Sequence, residues 1–440
     1  MGSQCSESAN TPVLNLRGFR ILAWASFMLL NILYLLACLQ RTAIPGAVFN
    51  NIQGDLNLIG SQMTRLGAMY VYCYSVSQIF AGMLVDRYGG KKMGVLGGLF
   101  MGVGLFLFSR AETAPWLYCS RVITAIGQSF IYLCVCKIAH ILFTPKQFGL
   151  LIGLSMSIGF TGGILGTMPT QFCAQQFGWR PLFAAIGACC IISSGIIIFA
   201  LRRLHERARE SSKVTWNSLK NLFNEPGRFC FMTFDFWSYP AYFVIQTILG
   251  QKFIQDYLGC SATMAATFTM LLTFGSVITS TAGAPMVRIF NQRRMPLVWI
   301  SKFLPVLVAF IMILGIKFGM PTWGFLICFI MMSANHISSA AQSDLMCELT
   351  DTKTIAFTAA VRNMPPYVGA GIVGGICGRI LDHYTPAEVL GSATTGIIHY
   401  PKEAYMACLF VMMAFGLIGF LFTLRIPETR GKNLYNNGVR

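Results

Sequence analysis

The sequence predicts an all-α membrane protein of about twelve transmembrane helices, arranged as two pseudo-symmetric bundles of about six helices each. The chain has 440 residues, of which 55% are hydrophobic and 11% charged. A soluble domain has about 25% charged residues. About twelve apolar runs reach the roughly 20 residues that a helix needs to cross a bilayer. The longest clearly polar stretch between two runs, 202–228, divides them into two sets.

The apolar runs follow one another with short polar connections. They lie at 20–48, 62–85, 93–109, 116–142, 148–172, 182–201, 229–254, 262–287, 295–317, 321–347, 355–380 and 403–425. The predicted organisation is therefore an N-terminal tail 1–17, a first bundle 18–201, a linker 202–228, a second bundle 229–425 and a C-terminal tail 426–440.

The charges predict the orientation in the membrane. Lys and Arg number 33 against 16 Asp and Glu, which gives a net charge of +17. Most of the bases lie in connections that fall on one side if the helices alternate, and the positive-inside rule places that side in the cytoplasm. We therefore expect a multi-pass protein of the cell membrane (the inner membrane in a bacterium) with both tails and the linker cytoplasmic, and no nucleic acid as partner.

One polar connection has a distinctive pattern. Gly82 to Lys92 reads G-x-L-x-D-R-x-G-x-K-K between two apolar runs. Glycine permits a tight turn or a close helix contact. The pattern resembles the signature loop between the second and third helices of the major facilitator superfamily of secondary transporters. An ordinary cytoplasmic loop with basic anchors is the alternative.

The second half of the chain echoes the first. Gly283 to Arg288 stands where the signature stands in the first half, with Val287 in place of the acid. Residues 427–432 resemble the end of many superfamily members, so the resemblance covers nearly the whole chain. It implies alternating access to a site between the halves at the bilayer midplane.

The resemblance also implies a gate at the cytoplasmic end. The Asp86 carboxylate would cap the positive end of the eleventh helix, because carboxylates are stabilised there. Gly82, Arg87 and Gly89 belong to the same predicted gate and would not bind substrate.

Three arginines in the apolar runs, Arg41, Arg121 and Arg362, against few acids there predict an anionic substrate. Arg41 lies about 33 Å along the first helix if that helix begins near Phe19. Arg121 begins a partial match to the R-x-x-x-G-x-G pattern in the fourth helix, with Ala125 in place of a glycine. An arginine in each of these helices resembles the anion:cation symporter branch of the superfamily, which implies an organic anion such as a sugar acid. A guanidinium suits a carboxylate. The alternative is that both arginines extend to the outer rim of the membrane.

The coupling ion stays open. Gln40 and Gln128 stand where members of that branch often have acids, and amides cannot titrate. Facilitated diffusion, anion exchange or sodium coupling are therefore favoured over proton symport through these positions. Asp235 and His336 are other candidate proton carriers, and the alternatives are that Asp235 pairs with linker bases and that His336 is simply hydrogen-bonded.

Arg362 and Asn363 lie near the midplane in the eleventh helix, directly before Pro365-Pro366, which predicts a kink. If Arg362 does not line the cavity, we expect it to pair with Asp344 or Glu348. The predicted substrate-binding residues are Arg41, Tyr70, Tyr74, Arg121, Gln128, Tyr242, Gln246, His336, Arg362 and Asn363.

The sequence thus predicts a monomeric transporter in membrane lipid that moves a small organic anion, with a proton or sodium as the possible coupling ion. A carrier of a neutral or zwitterionic nutrient and a non-transporting sensor are the alternatives. No G-x-x-x-x-G-K-[ST] loop, H-E-x-x-H motif or nucleophile elbow occurs in the sequence, so we expect neither an enzyme nor a cofactor.

Overall fold

A computed structural model describes residues 16–143, 145–200, 220, 222–350, 355–385, 397–432 and 434. All regular structure in these residues is helical, as the sequence predicts. Residues 1–15 of the N-terminal tail, 202–219 and 221 of the linker, and 433 and 435–440 of the C-terminal tail lie outside the described residues.

In the described part of the first half there are eight helices. They are α1 Leu16–Ala43, α2 Phe49–Leu56, α3 Gly60–Tyr88, α4 Gly90–Ser109, α5 Ala114–Leu142, α6 Pro145–Leu165, α7 Met168–Phe177 and α8 Trp179–Ala200. The second half contains α9 Pro226–Val244, α10 Gly250–Leu258, α11 Ala262–Ile289, α12 Met295–Phe318, α13 Thr322–Met332, α14 Ser339–Leu349, α15 Ile355–His383 and α16 Lys402–Thr423.

Within the described residues, these helices form twelve long segments, because α6–α7, α9–α10 and α13–α14 are each one interrupted segment and α2 is a short connection. Nine segments in that part of the chain are long and apolar enough to cross a membrane. The pair 151–165 and 168–177, bent by 43°, is a tenth if it forms one span. The other two, 226–258 and 355–383, do not pass the apolarity criterion and carry several charged residues.

The signature residues Gly82 to Lys92 span the end of α3, the turn at Gly89 and the start of α4. We call this end of the bundle the signature end and the end that contains residues 44–60 the opposite end. Gly89 has a φ of +92°, which permits the sharp turn into α4. Gly90 packs closely on α5, where an added Cβ would lie 3.2 Å from Cys134 O. Gly82 was also expected to make a turn or a close contact, but it lies within α3 and no described atom lies within 4 Å of an added Cβ.

The charged residues of the predicted cytoplasmic gate are only partly described. Arg87 is exposed, and its guanidinium lies 5.4 Å from the ring centre of Tyr88. The side chain of Asp86 lies outside the described residues. Its predicted contact with the eleventh helix therefore stays a prediction.

Glycines allow α4 and α5 to pack with their backbones in contact. A Cβ at Gly127 would lie 2.5 Å from Gly97 O and would also meet Met101 N. We expect Gly127→Ala to destabilise the protein by about 1–3 kcal/mol through overpacking. The measurement is the melting temperature of the purified protein in detergent.

The control for this substitution is Gly195→Ala in α8, where no described atom lies within 4 Å of the added Cβ. Alanine is a better helix former than glycine by about 1 kcal/mol, so this variant should melt at the same temperature or higher. Equal melting temperatures for the two variants would contradict the packing argument.

Contacts at the opposite end join the two halves. The Asn50 side chain donates to Gln255 Oε1 at 2.8 Å, and Ser61 N–H donates to Asp382 Oδ1 at 2.9 Å. Gly46 approaches Thr247 so closely that an added Cβ would lie 2.6 Å from its carbonyl oxygen. The opposite end of the bundle is therefore held together by polar and backbone contacts.

Candidate functional site

Five rings meet between the two halves, near the middle of the long helices. Tyr74 of α3 lies 5.3 Å from Tyr367 of α15, measured between ring centres. Tyr239 of α9 lies 5.8 Å from Tyr367, and Tyr242 lies 4.5 Å from His336. These edge-to-face contacts have the geometry that aromatic pairs prefer. We call these five residues the aromatic layer.

Arg41 lies in the last turn of α1, next to the aromatic layer. Its Nη1 donates to Tyr367 Oη at 3.2 Å, so this bond joins the first half to the second. Among the described residues, no carboxylate oxygen lies within 4.0 Å of its guanidinium, although several other cations have such a partner. A half-buried guanidinium whose partner is a neutral phenol has unused capacity for an anion.

Arg121 of α5 is 0% exposed, so the alternative in which it extends to the membrane rim does not apply. Its Nη1 donates to Gln40 Oε1 at 2.6 Å, and its Nη2 donates to Ile44 O at 3.5 Å. The guanidinium lies 4.2 Å from the ring centre of Tyr70. Arg121 therefore holds α1, α3 and α5 together through the protein's own groups.

The two glutamines that the sequence singled out are in direct contact. Gln40 Nε2 donates to Gln128 Oε1 at 2.5 Å, and both side chains are buried. Arg121, Gln40 and Gln128 thus form a continuous chain of hydrogen bonds. Neither amide ionises, so the dipoles of the two glutamine side chains, and not a carboxylate, stabilise the positive charge of Arg121 in this hydrogen-bond chain.

Tyr70 and Tyr74 share one face of α3, as their spacing predicts. Their rings are nearly parallel, with centres 6.0 Å apart. Gln78 Nε2 donates to Tyr74 Oη at 2.7 Å, and Asn363 Nδ2 donates to Gln78 Oε1 at 2.8 Å. Asn363 is therefore part of a hydrogen-bond chain that crosses from α15 to α3.

Three charged side chains from α9, α12 and α15 form a cluster next to the aromatic layer. Asp235 Oδ1 lies 2.9 Å from Lys302 Nζ, and Asp235 Oδ2 lies 2.9 Å from Arg362 Nη2. We call Asp235, Lys302 and Arg362 the ion cluster.

The ion cluster differs from the pairs expected from the sequence. Arg362 pairs with Asp235, whereas Asp344 and Glu348 both lie within 3.4 Å of Arg294. Asp235 pairs with two bases of the helices and not, within the described residues, with a base of the linker.

Lys302 is the member of the ion cluster that the sequence analysis missed. It is 2% exposed, and its Nζ also donates to Asn335 Oδ1 at 2.9 Å. A lysine inside an apolar membrane helix is a functional candidate by default, and this signal could have identified it.

Irregular turns occur at two predicted site residues. Gln246 lies in a π-helical turn, Ile245–Leu249, and His336 lies in a 3₁₀ turn, Ser333–His336. Such turns often mark functional positions. The helix α15 continues through Pro365 and Pro366, and the kink expected there stays a prediction.

The polar groups around these turns are only partly satisfied. Gln246 Nε2 donates to Thr273 Oγ1 at 3.0 Å, and the Tyr242 hydroxyl lies 3.0 Å from Ser276 Oγ. His336 Nδ1 is buried and has no hydrogen-bond partner in the described part of the chain. His336 therefore offers the site an unused polar atom.

A second ion pair lies at the opposite end. Lys252 Nζ lies 3.0 Å from Asp256 Oδ1, and Tyr400 N–H donates to Asp256 Oδ2 at 3.1 Å. Gln53 Nε2 of the first half donates to Tyr400 Oη at 3.1 Å. Burial raises the pKa of the Tyr400 phenol, so it stays neutral near pH 7. The segment 397–400 therefore joins the halves, a contact that the sequence did not predict.

Comparison with known proteins identifies the family and the fold. The family model of the Major Facilitator Superfamily matches residues 30–375. Multidrug resistance protein 1 of Bacillus subtilis is 32% identical over 167 residues, which is 37% of this chain and 41% of that protein. A probable sulfoacetate transporter of Cupriavidus necator is 23% identical over 191 residues, which is 43% of this chain and 44% of that protein. The matched segments thus span less than half of these relatives.

Solved structures match over nearly the whole length. A bacterial homolog of the human lysosomal transporter Spinster superposes with a TM-score of 0.70 at 16% identity, covering 92% of this chain and 98% of that one. A D-xylose–proton symporter superposes with a TM-score of 0.71 at 16% identity, covering 93% of this chain and 99% of that one. At these identities the likeness concerns the fold.

The helices and their apolar spans define a multi-pass membrane protein. The chain belongs to the Major Facilitator Superfamily, a family of transporters and not of enzymes.

Proposed function

We propose that this protein transports a small organic anion, such as a sugar acid or another carboxylate, by alternating access. The observation that carries the proposal is Arg41, a cation between the halves whose bonded partner is the neutral phenol of Tyr367. An anion bound to Arg41 would either displace Tyr367 from the guanidinium or share the guanidinium with it, and the Arg41–Tyr367 bond joins the halves. Its binding would therefore change the balance between conformations.

The charges around the aromatic layer support an anionic substrate. The described residues there include one carboxylate, Asp235, and four cations, Arg41, Arg121, Lys302 and Arg362. Unpaired charge at membrane depth is costly, and a bound anion lowers that cost. The resemblance of the two arginine positions to the anion:cation symporter branch and the relative named as a probable sulfoacetate transporter support the same class.

The coupling mode follows from the amides. Gln40 and Gln128 are hydrogen-bonded to each other, and Gln40 is hydrogen-bonded to Arg121. Neither glutamine side chain can bind or release a proton near pH 7. We infer that transport proceeds by anion exchange or facilitated diffusion and does not carry a proton through these positions. Replacement of the outside sodium by choline would identify sodium coupling, the remaining alternative.

The two ends of the bundle serve as the gates in this proposal. The signature end is cytoplasmic, with Gly82, Asp86, Arg87 and Gly89 at the inner gate. The opposite end is external, where Gln53–Tyr400 and Ser61–Asp382 bonds hold the outer gate closed in the described conformation. Transport requires these bonds to break while the inner gate forms.

Counterflow in proteoliposomes tests the proposal. The labelled panel contains sugar acids, dicarboxylates, phosphorylated sugars, amino acids and nucleosides, each assayed with and without a pH gradient. We expect uptake of at least one acid and indifference to the gradient. Uptake restricted to neutral or zwitterionic compounds would contradict an anion site and favour a nutrient carrier of the same fold.

A further inference from the structure

We infer that Arg362 forms a second anion subsite, so that the substrate is a short two-headed acid with one acidic group on Arg41 and the other on Arg362. Lys302 acts as the positioning residue of this subsite. The inference rests on the proposed anion transport and specifies its substrate class.

The spacing along α15 supports a two-headed ligand. Arg362 lies about 7.5 Å before Tyr367 along the helix axis, given the rise per residue. Tyr367 in turn is the hydrogen-bond partner of Arg41. Tyr239 lies one turn after Asp235, the partner of Arg362, and its ring centre lies 5.8 Å from that of Tyr367. The Tyr239–Tyr367 pair therefore links the surroundings of the two arginines, and a short diacid chain that passes this pair would reach both.

Arg362 has hydrogen-bonding capacity left for a ligand. Its Nη2 is shared between Asp235 Oδ2 at 2.9 Å and Gln342 Oε1 at 2.7 Å. Its Nε is buried and has no partner among the described residues. The guanidinium lies 4.5 Å from the ring centre of Phe231, a contact that fixes its plane. One oriented donor is thus free to receive an acidic oxygen.

Lys302 determines how strongly Asp235 competes for Arg362. The two bases use different oxygens of the carboxylate, Oδ1 for Lys302 and Oδ2 for Arg362. Two cations and one carboxylate leave the ion cluster with a formal charge of +1. Without Lys302, Asp235 would neutralise Arg362, and the attraction for a second acidic group would be lost. Lys302 itself is buried and need not touch the substrate.

The test compares matched acids on the purified full-length protein. The ligands are succinate, glutarate and adipate on one side and butyrate, valerate and hexanoate on the other. Apparent dissociation constants come from the ligand-dependent rise in melting temperature. We expect each diacid to bind at least about tenfold more tightly than its monoacid, because it adds a hydrogen bond to a charged group.

Variants of the ion cluster change its charge in a controlled way. Lys302→Met makes the cluster neutral and should abolish the preference for diacids. The double variant Asp235→Asn/Lys302→Met returns the charge to +1 and should restore the preference. Arg362→Gln should lose the preference while monoacid binding persists. The ratio of the two constants is informative because a partial loss of folded protein does not alter it.

The outcomes separate this inference from the proposed function. Equal binding of diacids and monoacids to the wild type, or an unchanged preference in Arg362→Gln, would overturn the second subsite and leave anion transport intact. A folded double variant without the preference would overturn the role of Lys302. Absence of binding by all six acids, together with uptake of neutral compounds only, would overturn both proposals.

Discussion

Arg41→Ala is expected to lower kcat/KM for anion uptake by roughly 10- to 100-fold, because the substitution removes a charge-assisted hydrogen bond to the substrate. The structure places this guanidinium between the halves, with a phenol as partner and no described carboxylate within reach. The substituted protein should keep its fold, because the lost contact is a single bond to Tyr367. Initial uptake rates in proteoliposomes, normalised to the amount of reconstituted protein, give the value.

Two further substitutions show whether the decrease in uptake comes from the charge and shape of the Arg41 side chain. Arg41→Lys keeps the charge but not the planar fork, so its rate should lie between those of the wild type and Arg41→Ala. Arg379→Ala removes an exposed arginine from α15 and should leave uptake unchanged. Wild-type uptake by Arg41→Ala would show that the anion does not bind at this position.

Gln128→Glu is expected to make uptake depend on the pH gradient, whereas wild-type uptake should be indifferent to it. A glutamate at this position can bind and release a proton within the chain that leads through Gln40 to Arg121. One coupled proton supports up to about tenfold accumulation of the anion per pH unit of gradient. The measurement is the steady-state ratio of labelled anion inside and outside the vesicles, with and without acid outside.

The matched control adds the same group at an exposed position. Gln175→Glu in α7 places a carboxyl at the opposite end, where the native side chain is exposed, and should not create a dependence on the gradient. If wild-type uptake were already driven by the gradient, another residue would carry the proton, and the role assigned to the two amides would be wrong.

The helices could be predicted from the sequence because the bilayer requires long apolar runs with internally satisfied backbones. The turn at Gly89 could also be predicted, since its position demands a positive φ. Gly82 belongs to the same motif but occupies open space among the described residues. A motif thus identifies a family, but it does not show which residues of the motif make contacts.

Partners from distant helices could not be predicted. The full burial of Arg121 depends on Gln40 and on the ring of Tyr70, which come from two other helices. In the same way, Asp235 pairs with Lys302 and not with a described base of the linker, because the packing of the helices brings Lys302 of α12 to 2.9 Å from it. Residue type and depth identify a buried charge, but only the packing of the helices determines its counterion.

Two irregular turns could not be predicted. Ile245–Leu249 and Ser333–His336 depart from the α-helix without a proline inside them, whereas α15 continues through its double proline. Proline removes a donor, and neighbouring helices can satisfy the freed groups without a break. The interrupted turns carry Gln246 and His336, so these two predicted site residues have a local feature that the sequence did not reveal.

The central claim is that the site between the halves recognises negative charge. The most direct test is competition in counterflow between the best acid of the labelled panel and its neutral amide, which has nearly the same size and shape. We predict that the unlabelled acid competes with wild-type protein at least about tenfold better than the amide, and that Arg41→Ala removes this difference. Equal competition by acid and amide in the wild type would contradict the claim.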